Sequence, residues 1–127
     1  MILKKNNNQS LFRILAGLWT IILTVLLLLP GNDMPDLHLS WLKYADKVIH
    51  FLSFFFLTFI YLLSTLNEDS KVRYRLFFLL LVYAVFMESI QHTVQQSREF
   101  ELADMISNIS GIVLAYCIYH LIRCFKP

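Results

Sequence analysis

The chain has 127 residues, of which 57% are hydrophobic and 16% charged, whereas a soluble domain carries about 45–50% apolar and about 25% charged residues. Its net charge of +2, with no dense basic stripe, excludes a nucleic-acid binder. Three glycines and three prolines leave no linker or low-complexity segment, and one domain over residues 1–127 is expected.

The apolar excess lies in four runs of about 20 residues, the length that crosses hydrocarbon. The first, Leu11–Leu29, carries Arg13 near its start, where the side chain snorkels to the headgroups, and stops at Pro30-Gly31. Lys4 and Lys5 resemble the start of a signal peptide. No small-x-small cleavage site follows, so an uncleaved span is expected.

The second run, Val48–Leu66, is dense in Phe and Leu and is entered through Asp46-Lys47-Val48-Ile49-His50. Asp46 and His50 stand at i, i+4 and share a helix face, which Ser53 continues. The third, Tyr74–Ile90, closes on Glu88, Gln91 and His92, again at i, i+3 and i+4. The fourth, Met105–Phe125, opens with Asp104, Ser107, Asn108 and Gly111 in one polar stripe at i, i+3, i+4 and i+7. Gly111 and Ala115 form a small-xxx-small pair that predicts a close helix crossing.

Cys117 and Cys124, seven apart on one helix, cannot bridge and are expected to be reduced. Tyr44, Tyr61, Tyr74, Tyr116 and Tyr119 suit an aromatic belt, and His38, Trp41 and His120 read as interfacial or packing residues. No run alternates polar and apolar, which excludes strands. The expected architecture is an all-α, multi-pass integral membrane four-helix bundle, with helices at about 11–29, 47–66, 74–92 and 104–125.

Basic residues set the expected orientation. Lys4, Lys5, Arg13, Lys71, Arg73, Arg75, Arg123 and Lys126 fall on one side, and only Lys43, Lys47 and Arg98 on the other. The bias predicts both termini inside, with the loops 30–47 and 89–104 outside.

That topology brings the start of helix two, the end of helix three and the start of helix four to one depth on the outer side. An ionisable group inside a span costs roughly 2.5–3.5 kcal/mol on insertion scales, so such groups face protein or water and pair with one another. The expected pairs are His50 with Asp46 or Glu88, and Arg98 with Glu88 or Asp104. One reading is a polar clamp that holds the helices together. Another is an outward-facing site for an anionic headgroup. In it Lys47, Arg98 and a protonated His50 contact the anion, while Asp46, Glu88, Gln91, Asp104 and Asn108 hold the site. A third is an enzyme acting on a lipid-linked phosphate or peptide. His50 is then base or nucleophile, Glu88 or Asp46 orients it, and Arg98 stabilises charge. His50, His92, Asp46, Glu88 and Asp104 are metal-ligand types, but no spacing among them is diagnostic, and neither metal nor cofactor is expected.

Taken together, Asp46-Lys47-x-x-His50-Phe51, Glu88-x-x-Gln91 and Arg98-x5-Asp104-x3-Asn108-x2-Gly111 resemble the VanZ-like family over residues 40–120. This chain has Ala115 where the family often has a second glycine, and Gln96-Ser97 where it often has Pro-Gly. The resemblance implies a small bacterial inner-membrane protein of the cell envelope. The family's founding member is linked to teicoplanin resistance, and glycopeptides act on lipid-linked wall precursors outside the membrane. The implied partners are the lipid bilayer and a lipid-linked envelope precursor. Oligomeric state is left open, and the resemblance does not decide between binder and enzyme.

Overall fold

The computed structural model describes residues 7–29, 40–94 and 102–125. It contains four helices and, among the described residues, no strand: α1 (Asn7–Leu28), α2 (Ser40–Ser64), α3 (Ser70–Val94) and α4 (Leu102–Phe125). Each is long and apolar enough to cross a membrane. The helices start earlier than the apolar runs do. Residues 40–47 and 70–75, expected in loops, continue α2 and α3 by a turn or more. The reason is that a charged or polar side chain does not break a helix. It only requires that the turn bearing it reach the interface or a protein partner.

α1 runs antiparallel to α2, since Arg13 meets Glu68 and Trp19 Nε1 donates to the Ser53 carbonyl at 3.2 Å. α2 and α4 run parallel, since Lys47 meets Asp104 and His50 meets Asn108. α3 packs antiparallel to α4, with the Tyr74 and Phe77 rings on Tyr116. The bundle therefore has a His50 end and an Arg73 end.

The closest crossing is between α2 and α4, at Gly111. A Cβ there would fall inside the van der Waals shell of the Phe51 carbonyl oxygen and 3.0 Å from the Phe55 backbone nitrogen. The crossing anticipated from Gly111 and Ala115 is thus formed, and Ala115 is fully buried. Gly17 in α1, by contrast, has no heavy atom near its missing side chain.

The core consists of Leu23, Leu27, Phe54, Leu57, Leu80, Ala84, Met87 and Ile112, drawn from all four helices. The outward faces are apolar too: Ile14, Leu18, Ile21, Val25, Phe78 and Leu79 are all exposed. In water such a surface would aggregate, and in a bilayer it meets acyl chains. Hydrophobicity cannot drive these helices together in lipid, so packing and polar contacts must. The mid-membrane contacts are of that kind. Thr20 Oγ1 lies 3.1 Å from the Tyr61 hydroxyl, and Thr24 Oγ1 lies 2.8 Å from the Tyr83 hydroxyl. Tyr61 is therefore a bundle contact and not a belt residue, and Tyr119 is buried, whereas Tyr44 and Tyr74 remain exposed as a belt requires.

Candidate functional site

The polar residues of α2, α3 and α4 converge at the His50 end. His50 is 3% exposed and Asp104 and Asn108 are 1% exposed, while Glu88 and Gln91 are buried on α3. The sequence periodicity explains the convergence. Lys47 and His50 are one helical turn apart on α2, and Asp104 and Asn108 are one turn apart on α4. In a parallel pair the two turns face each other in register.

Two cross-helix contacts follow. Lys47 Nζ donates to Asp104 Oδ1 at 3.1 Å, and the His50 Nδ1 to Asn108 Oδ1 distance is 3.1 Å. Asp104 also lies in the first turn of α4, where the positive end of the helix dipole favours its charge. A buried carboxylate is tolerated when it is paired and hydrogen-bonded, and Asp104 is supplied in both ways. The Asn108 amide oxygen can only accept, so in this contact Nδ1 carries the proton. His50 Nε2 then faces Asp46 Oδ1 at 3.7 Å, across the expected i, i+4 step.

A cavity of about 150 Å³ opens beside these groups, lined by Leu23, Leu27, Asp46, His50, Ser53 and Gln91 among others. Asp46, His50, Ser53 and Gln91 are its polar lining, and the α1 leucines with Ile49 and Phe54 are its apolar lining. Such a space suits a ligand with a polar head and an apolar body. Asp46, His50 and Asp104 also each bring one metal-ligating atom within 4.8 Å of the others. These donors come from two helices, so no short spacing in the chain could have revealed them.

Of the expected site residues, Asp46, Lys47, His50, Glu88, Gln91, Asp104 and Asn108 are all at this end of the bundle, and the first three with Asp104 and Asn108 form the paired cluster. Arg98 and its expected pairing with Glu88 or Asp104 lie outside the described residues. His92 is exposed, and Ser107 spends its hydroxyl on the Ala103 carbonyl of its own helix at 2.9 Å, so neither belongs to the cluster. The partnering of Lys47 with Asp104 was not anticipated; its signal was the i, i+3 spacing of Lys47 and His50. Cys117 and Cys124 are both free, as expected, and exposed. His120 packs against the Tyr116 ring at 4.4 Å, the packing role being one of the two expected of it.

The Arg73 end has its own buried charge. Arg73 is 7% exposed, and its Nη1 donates to the backbone carbonyls of Thr65, at 3.5 Å, and Glu68. Those carbonyls belong to the turn just past the C-terminal end of α2, where a cation is favoured. Arg13 reaches the same turn through Glu68 at 2.8 Å, with both side chains substantially exposed.

Neither a curated protein nor a solved structure matches the chain. A family model does, and it covers α1 to α3, α4 as far as Arg123 and every residue of the polar cluster. The chain is a multi-pass membrane protein of the VanZ/LLP1 family, whose model matches residues 4–123.

Proposed function

We propose that this protein binds the anionic headgroup of an envelope lipid or lipid-linked wall precursor at the His50 end of the bundle, on the outer side of a bacterial inner membrane. The observation that carries the reading is the pairing of Lys47 and His50 with partners on α4 beside a cavity of mixed polar and apolar lining. Lys47 and Arg98 supply positive charge for the headgroup, and a protonated His50 adds an Nε2–H donor. Asp46, Glu88, Gln91, Asp104 and Asn108 fix the positions of those groups. The outer placement rests on the excess of lysine and arginine at the opposite end. A link to glycopeptide resistance follows from that placement, since glycopeptides meet their precursor on the outer surface.

His50, Glu88, Arg98 and Asp104 are each replaced with a neutral residue of similar size. Membrane abundance and glycopeptide sensitivity are then measured in a host that depends on the protein. Abundance held while resistance falls supports the binding site. Abundance falling in parallel makes the cluster a structural clamp between α2 and α4 and sinks the proposal.

The 3.7 Å approach of Asp46 to His50 Nε2 favours a second reading, in which the dyad activates a nucleophile on a lipid-linked phosphate or peptide. Turnover lost in His50→Ala with binding retained favours the enzyme. No turnover on a broad panel of lipid-linked substrates rejects it.

A further inference from the structure

The cluster combines two carboxylates and an imidazole, and none of the three is a neighbour of another along the chain except through one turn of α2. Each offers a ligand atom within 4.8 Å of the other two, and two of the three residues are buried. In a tetrahedral site with bonds of about 2.0–2.1 Å, ligand atoms stand about 3.3 Å apart, so small side-chain adjustments complete the geometry.

The surroundings of His50 are those of a ligand histidine. Its Nδ1 is held at 3.1 Å by the Asn108 amide oxygen, which fixes the ring and leaves Nε2 directed at Asp46. A ligating histidine characteristically donates its other N–H to a carbonyl or carboxylate oxygen in this way. The cavity lined by Asp46 and His50 gives the ion an approach.

Lys47 is the feature that makes this a switchable site. Its ammonium lies 3.1 Å from Asp104 Oδ1, one of the would-be ligand residues, and its side chain is 29% exposed. The ammonium neutralises the buried carboxylate where a metal's charge would otherwise do so. A flexible four-carbon stem lets it leave for the interface when a cation enters.

We propose that Asp46, His50 and Asp104 bind one divalent cation of the transition series, Zn²⁺ or Mn²⁺, in competition with the Lys47 ammonium. Mixed imidazole and carboxylate donors suit such ions better than they suit Ca²⁺ or Mg²⁺, which take oxygen ligands. Three protein ligands leave coordination positions open. If the headgroup reading holds, a phosphate oxygen takes one of those positions, and the displaced Lys47 pairs with the same phosphate.

Purified full-length protein carrying Cys117→Ser and Cys124→Ser, which removes adventitious thiol ligands, is titrated calorimetrically with Zn²⁺ and, by electron paramagnetic resonance, with Mn²⁺. The expected result is one ion per chain. His50→Gln and Asp104→Asn each lower affinity at least tenfold, and Asn108→Ala, which acts through the His50 ring, lowers it about tenfold. Lys47→Met raises affinity several-fold. That gain keeps the test decisive should a ligand variant fail to fold, because a misfolded protein does not bind metal more tightly. Absence of stoichiometric binding, binding indifferent to His50→Gln and Asp104→Asn, or weaker binding in Lys47→Met overturns the proposal. Nanodiscs containing phosphatidylglycerol, with and without chelator, separate it from the headgroup reading. Lipid binding that ignores the chelator rejects the cation and keeps the headgroup. Cation binding without any lipid response keeps the cation and rejects the headgroup.

Discussion

At the Arg73 end, a buried guanidinium donates through Nη1 to main-chain carbonyls no more than eight residues away in sequence. At the His50 end, Lys47 and His50 find side-chain partners 57 and 58 residues away on another helix. The first arrangement is local: an arginine at the start of α3 folds back on the turn that follows α2. The second demands that α2 and α4 share one register, and it borders a cavity. Local pairing of a buried charge with backbone signals architecture. Long-range pairing between side chains of two helices signals a site. The contrast holds although both ends bury a charge that the bilayer would not accept alone.

Substitutions test the contrast, and the largest effect is expected at Gly111. Gly111→Ala drives a methyl into the Phe51 carbonyl and must push α2 from α4. A loss of about 3 kcal/mol, at the upper end for overpacking, is expected in reversible unfolding in detergent. Cation and headgroup binding should fail with it, because Phe51 adjoins His50. Next is Arg73→Met, which removes charge-assisted bonds to the turn after α2 and should cost about 2 kcal/mol. Here binding at the other end should persist in whatever fraction stays folded. If headgroup affinity falls with Arg73→Met, the two ends are coupled and the division drawn above is wrong.

Asp104→Asn should be smaller in stability, about 1 kcal/mol, since Lys47 can retreat to the interface and one interhelical polar contact is worth about 0.6–2 kcal/mol. Its effect on ligand binding should be far out of proportion to that loss; proportionate losses would mark the cluster as a clamp. Smallest is Arg13→Gln. The Arg13–Glu68 pair is exposed at both side chains, so melting should shift by no more than about 0.5 kcal/mol and binding not at all.

Much of this was readable in advance, for identifiable reasons. Span number follows from run length, which depends only on the thickness of hydrocarbon. The meeting of Asp46 and His50 follows from helical pitch, and the crossing at Gly111 from the absence of a side chain. What the sequence left open was partner choice between helices. Asp104 could be assigned to Arg98 as readily as to Lys47, because pairing across a bundle depends on rotation about each helix axis, and composition does not set that angle. Arg73 was counted as a loop charge for topology, whereas it is helical and inward-turned. The deciding groups there are backbone carbonyls, and these carry no residue type to read. Thr20 and Thr24 lie within the first apolar run. Their i, i+4 spacing in fact aligns them with Tyr61 and Tyr83, one on each neighbouring helix.

The parallel pairing of α2 with α4 also fixes an order of events during synthesis. Lys47 leaves the ribosome 57 residues before the Asp104 it will bind. At about 5–20 residues per second that is a delay of roughly 3–12 seconds. Throughout it, α2 must sit at the membrane with a lysine, a histidine and an aspartate not yet joined to α4. The insertion machinery, phospholipid headgroups or interfacial water must shelter them meanwhile. A chain halted before Leu102 would hold three helices and none of the α4 partners of Lys47 and His50. The fourth helix is therefore the one whose arrival converts a set of costly side chains into a shared structure, and quality control that monitors exposed polar groups in the bilayer would read its arrival as completion.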